Sequence, residues 1–184
     1  TNVAFTKSTS LKNAATAIMT TDKYPKYQTK SYIINDKRIT FTGICKGAGM
    51  IEPSMATMLA FIQTDICLNK NDVKKYNQYF SDSSFNSISV DGDMSTNDTV
   101  VFSSTNKIPI DLSNKRNLNK FISCGAEFFI SMASKIVTDG EGSTKIIEFN
   151  IKNCNSKKLA VDISKKISNS LLVKTAMFGS DPNW

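Results

Sequence analysis

Apolar residues recur at helical spacing in four stretches of the chain. Ser10 to Met19 carries Leu11, Ala14, Ala15 and Ile18 behind Ser10, a residue type that caps helix starts. Asn71 to Ser81 sets Val73, Tyr76, Tyr79 and Phe80 inward and Lys74, Lys75 and Gln78 outward. Asn117 to Val137 is the longest such pattern, with Leu118, Phe121, Ile122, Phe129, Met132 and Ile136 on one broad face; Gly125 and Ala126 within it are small enough to admit a neighbour. Lys157 to Val173 repeats the spacing with Ala160, Ile163, Ile167 and Leu171 inward. Lys30 to Ile34 and Arg38 to Cys45 flank Asn35-Asp36, which predicts a hairpin. Met58 to Ile66 is apolar and of strand length, and Phe85 to Val90, Val100 to Phe102 and Ile146 to Ile151 read as shorter strands. Ser104 to Lys115, polar and interrupted by Pro109, reads as a variable surface segment. Tyr24-Pro25 marks a break, because proline pushes the preceding residue out of the helical region. The elements alternate without the regular spacing of a doubly wound nucleotide fold, and no GxGxxG or Walker motif is present. The class expected is mixed α/β.

Composition narrows the function. The 184 residues suffice for one domain, or part of a larger one, with a real core. Net charge is +7, but the basic residues are scattered among Asn and Ser in short pairs such as Lys74-Lys75 and Lys165-Lys166, which argues against a nucleic-acid partner. Cys45, Cys67, Cys124 and Cys154 form no CxxC pair, so reduced thiols of a cytoplasmic protein are expected, with no metal site. Without an apolar run near the length of a span, no membrane partner is expected. The chain opens on Thr1 without Met and stops at Asp181-Pro182-Asn183-Trp184, and so reads as a piece of something longer.

The chemistry concentrates in Gly43 to Leu59. Lys46 stands among Gly43, Gly47 and Gly49, where backbone can approach a ligand while the ammonium reaches an anionic group. Pro53 rigidifies the approach, and Ala56-Thr57 follows, a small residue before a hydroxyl residue at the start of a strand-like run. The chain has no histidine, which excludes Ser-His and Cys-His catalysis within it. A threonine hydroxyl can instead use its own α-amine as base, provided the bond before it is cut, since that amine titrates at about 7.7 to 8.0. Thr57 is thus either a nucleophile released by self-cleavage or simply a threonine opening a buried strand. Thr20, Thr21 and Asp22 are either pocket-facing polar groups or a helix-end turn. Ser95-Thr96-Asn97-Asp98-Thr99 is either a ligand-facing loop or one closed by its own side chains. Glu141 between Gly140 and Gly142 is placed to meet an ammonium, although a plain turn also explains the glycines.

Five segments taken in order carry a resemblance. They are Ala17 to Asp22 with Pro25-Lys26, Cys45 through Pro53 to Leu59, Ser95 to Thr99, Asp139 to Lys145, and Val173 to Ala176 with Gly179 to Trp184. Together they closely resemble the glutamate N-acetyltransferase and ornithine acetyltransferase family of arginine biosynthesis. The likeness spans essentially the whole chain, which corresponds to the middle of a family member.

The resemblance implies layered sheets between helices and a self-processing acetyltransferase of the N-terminal-nucleophile kind. Cleavage between Ala56 and Thr57 would make residues 1–56 the end of an α chain and 57–184 the start of a β chain, associated as a heterotetramer. Thr57 would take the acetyl group from N-acetylornithine and pass it to glutamate. Lys46, Thr20 or Thr21, and Glu141 match substrate-binding positions, and their charges suit a donor with a carboxylate and an ammonium. No cofactor is implied, although some members also accept acetyl-CoA. The family's Thr-Gly oxyanion motif would lie upstream of Leu11 and further substrate residues beyond Trp184, so this chain is expected not to turn over alone. Two other functions compatible with the residues are an N-terminal-nucleophile aminopeptidase and a non-catalytic unit binding a small amino acid or a partner chain.

Overall fold

In the computed structural model the described residues are 10–48, 57–92 and 95–182; Ala56 lies outside them. Each of their five α-helices starts on a Ser or Asn whose side chain accepts a first-turn N–H. Ser10 caps α1 (Leu11–Ala17), Asn69 caps α2 (Lys70–Asp82), Asn114 caps α3 (Lys115–Thr138), Ser156 caps α4 (Lys157–Ser168) and Ser170 caps α5 (Leu171–Gly179). Such side chains satisfy donors that a helix start leaves unpaired, so part of the Asn and Ser bias is used to punctuate helices.

Four strands, β1 (Lys26–Ile34), β2 (Lys37–Lys46), β3 (Leu59–Ile66) and β4 (Thr99–Ile108), form one sheet in the order β1-β2-β3-β4. The first two pairings are antiparallel and the last is parallel, with α2 in the crossover that parallel neighbours require. Asn35 and Asp36, at φ 49° and 58°, make the predicted two-residue hairpin turn, whose left-handed backbone matches strand twist. One sheet face packs on α2 and α3: Ile39, Phe41, Cys45, Ile62 and Phe102 meet Tyr76, Phe80, Phe121, Phe128, Phe129 and Met132 in the buried core. Gly125 is where α3 passes Phe80; a Cβ there would lie 2.3 Å from the Phe80 Cζ. By length and composition α3 could cross a membrane, but Phe121, Phe128, Phe129 and Met132 are buried in the core.

The mixed α/β class is as expected, and several boundaries are corrected. Phe85 to Val90 is not a strand; it opens with a 3-10 turn, Phe85–Ser87. Serines at both ends hold that turn, with Ser84 Oγ donating to Phe80 O at 2.6 Å and Ser87 Oγ to Asp82 O at 2.7 Å, bonds that compete with extended structure. The polar segment from Ser104 begins inside β4, because pairing with β3 continues to Ile108. Ile146 to Ile151 has the alternation of a strand without a ladder among the described residues. Lys157 to Val173 is two helices, not one, because Ser170 caps a new start. Leu171, expected inward, is 76% exposed and Tyr79 is 51% exposed.

Candidate active site

Four segments meet where β2 ends and β3 and β4 begin. Lys46 closes β2 opposite Leu59 and is buried, with its Nζ donating to Thr20 Oγ1 at 3.1 Å. Thr20 and Thr21 follow α1 and are both exposed; the bond to Lys46 falls to Thr20. Gly47, at φ +145°, turns the chain off the strand where a Cβ would sit 3.5 Å from the Met58 Cα. From the end of α3, Glu141 arrives half-buried, and its N–H donates to Ala48 O at 2.8 Å.

Thr57, just before β3, is half-buried, with its Oγ1 3.3 Å from Ser95 Oγ. Ser95 Oγ also accepts the Asn97 N–H at 3.2 Å, and either hydroxyl of the Thr57–Ser95 pair can donate to the other. Asp98 Oδ1 accepts the Met58 N–H at 2.9 Å, and the Thr99 N–H donates to Met58 O at 3.0 Å. The 95–99 loop is therefore both closed by its own side chains and clamped on the nucleophile candidate.

Beneath Lys46 lies a fully buried ionic cluster of Asp22, Lys26 and Asp139. Asp22 Oδ1 accepts from Lys26 Nζ at 2.5 Å and from the Gly47 N–H at 2.8 Å, while its Oδ2 accepts the Thr20 N–H at 3.2 Å. Asp139 accepts from Lys26 Nζ and from the Lys23 N–H, the latter at 3.0 and 3.3 Å. Burial pushes the Asp22 carboxyl up, but the hydrogen bonds from Gly47, Lys26 and Thr20 outweigh it and hold the group below its ordinary value. Burial likewise pulls the Lys26 ammonium down, and its bonds to Asp139 and Asp22 more than restore it, leaving it raised. Among the described residues no group of three or more His, Cys, Asp or Glu could hold a metal ion. A cavity of about 910 Å³ opens between α3, residues 141–149 and the last two helices; Glu141 lines it, whereas Thr20, Lys46 and Thr57 do not.

The family model described as "ArgJ family" matches residues 2–184. The chain belongs to the ArgJ family. It is 46% identical over 182 residues to the glutamate N-acetyltransferase of Methanococcus maripaludis strain C7, covering 94% of this chain and 42% of that protein. Identity is 47% to the glutamate N-acetyltransferase of Methanocaldococcus jannaschii, over 94% of this chain and 43% of that one. It is 43% to the mitochondrial arginine biosynthesis bifunctional protein ArgJ of Candida tropicalis, over 94% of this chain and 44% of that one. The crystal structure of arginine biosynthesis bifunctional protein argJ from Bacillus halodurans superposes with a TM-score of 0.62 at 31% identity, over 71% of this chain and 61% of that one. The chain spans less than half the length of the curated relatives it matches.

Several residues of the candidate site are given no role by spacing or residue type alone. Lys26 and Asp139 stand 113 positions apart, and no local pattern links them. Asp22 is visible only as one more polar residue at a helix end. Ser95 and Asp98 sit in a segment that spacing alone leaves ambiguous.

Proposed function

We propose that this chain carries part of the active site of an acetyltransferase that moves an acetyl group from N-acetylornithine to glutamate in arginine biosynthesis. The observation that supports it is the convergence of Thr57, the Lys46–Thr20 pair and Glu141 at one end of one sheet. In this reading the precursor cuts itself between Ala56 and Thr57, so that residues 57–184 begin a new chain. Lys46 holds the donor carboxylate and Glu141 its side-chain ammonium. Thr57 Oγ attacks the acetyl carbonyl while its own α-amine takes the hydroxyl proton. The tetrahedral intermediate collapses, the C–N bond breaks, and the ammonium returns the proton to the departing ornithine nitrogen. Glutamate's amine then attacks acetyl-Thr57, and Thr57 Oγ leaves with a proton as N-acetylglutamate is released. Acetyl-CoA as a further donor, a heterotetramer of the cleaved chains and a cytoplasmic location belong to the same reading. A peptide-hydrolysing relative would have less use for two opposite charges flanking the nucleophile.

The test is the denatured mass and N-terminal sequencing of the protein purified from its host, followed by transfer of labelled acetyl from N-acetylornithine to glutamate. Two chains, one starting at Thr57, together with transfer are expected. A Thr57→Ala protein that still transferred acetyl would sink the reading.

A further inference from the structure

The buried cluster of Asp22, Lys26 and Asp139 joins both charged ends of the site. On one side, Asp22 accepts the N–H of Thr20, whose hydroxyl meets Lys46, and the N–H of Gly47, which follows Lys46. On the other, Asp139 caps α3 two residues before Glu141, and its carboxylate is held by Lys26 and the Lys23 N–H. The ring closes where the Glu141 N–H donates to Ala48 O, two residues past Lys46. All three side chains of the cluster are 0% exposed. Replacing a buried ionic cluster with an apolar filling of the same volume is often neutral or stabilising, so stability alone is a weak account of it. What such a cluster does provide is a fixed spacing between the backbone segments it bonds.

We infer that the Asp22–Lys26–Asp139 cluster sets the separation of Lys46 and Glu141, and through it the chain length of the diamino-acid donor. This rests on the reading above, in which those two residues hold the donor's carboxylate and ammonium. The three residues are positioning residues: they act through Lys46, Thr20 and Glu141. Asparagine at Asp22 removes a charge opposite Lys26 and turns one acceptor into a donor, so one of the Thr20 and Gly47 N–H groups loses its partner. The end of β2 is then free to shift relative to the end of α3.

The experiment compares kcat/KM for N-acetylornithine and for Nα-acetyllysine, one methylene longer, with glutamate as acceptor, using the enzyme as purified from its host. A methylene is worth about 10- to 200-fold in a fitted site, and the unaltered enzyme should prefer the shorter donor by a ratio in that range. In Asp22→Asn, and separately in Asp139→Asn, that ratio should fall about tenfold when assayed well below each variant's melting temperature. A purely structural cluster would lower the melting temperature and reduce both donors equally; an unchanged ratio in the folded variants overturns the inference. So does failure of both variants to fold at any temperature, since the cluster is then structural. Glu141→Gln and Lys46→Ala are run alongside. If neither alters donor kinetics, the assignment of the site itself is wrong; if both do and the ratio holds in the cluster variants, only the spacing role is.

Discussion

Ser95 and Asp98 divide one task at the start of β3: one hydroxyl touches the Thr57 hydroxyl and one carboxylate fixes the next peptide N–H. Ser95→Ala removes a neutral hydrogen bond and should lower kcat by about tenfold with KM little changed, as steady-state kinetics would show. Asp98→Ala removes a charge-assisted but solvent-exposed one and should cost about 0.5 to 1.5 kcal/mol in chemical unfolding. Cys45 is a different case. Burial pushes its thiol up to about 12, so it has no thiolate to offer at neutral pH. A thiol reagent should label Cys67 and Cys154 first, with Cys45 and Cys124 protected, as peptide mass spectrometry of the folded protein would record. In the candidate site, Lys46 among glycines and Glu141 between Gly140 and Gly142 could be singled out from residue type and setting. The residues that hold them could not, because Lys26 meets Asp139 only after the sheet and α3 have packed.

The helices were read well and the strands less so, for a physical reason. A helix makes its bonds within itself, so its period and cap are written in consecutive residues, as at Ser10, Asn69 and Asn114. A strand needs a neighbour, and Ile146 to Ile151 shows the alternation with no ladder among the described residues. Ser170 shows the limit of period alone, since a cap inside an unbroken apolar pattern splits it. Gly125 was legible as a close-approach point, and the approach is tighter than spacing could tell. Gly125→Ala should destabilise by about 1 to 3 kcal/mol despite alanine's better helix propensity, because the Phe80 ring occupies the space of the new methyl. The midpoint of urea unfolding measures it.

For the whole molecule, the buried cluster ties stability to pH at both ends. Asp22 titrates below its ordinary 3.8, so its contribution is present above that value and is lost as pH falls through the lowered one. Lys26 titrates above its ordinary 10.5, so its contribution is whole below that value and is lost as pH rises through the raised one. The melting temperature should therefore be level between about pH 5 and 9 and drop on acidification below about pH 4. Lys26→Met leaves two buried carboxylates without a counter-ion and should cost about 3 to 5 kcal/mol, read from denaturant unfolding at neutral pH.

The ladder between β2 and β3 runs over six residue pairs, from Lys46 opposite Leu59 to Phe41 opposite Thr64. A cut before Thr57 falls outside it, so the two pieces would stay spliced through backbone hydrogen bonds in the middle of the sheet. That makes the chain a natural candidate for fragment complementation. Residues 1–56 and 57–184, expressed from separate genes in one cell, should find each other and co-purify, because the interface between them is the molecule's own core and not a surface.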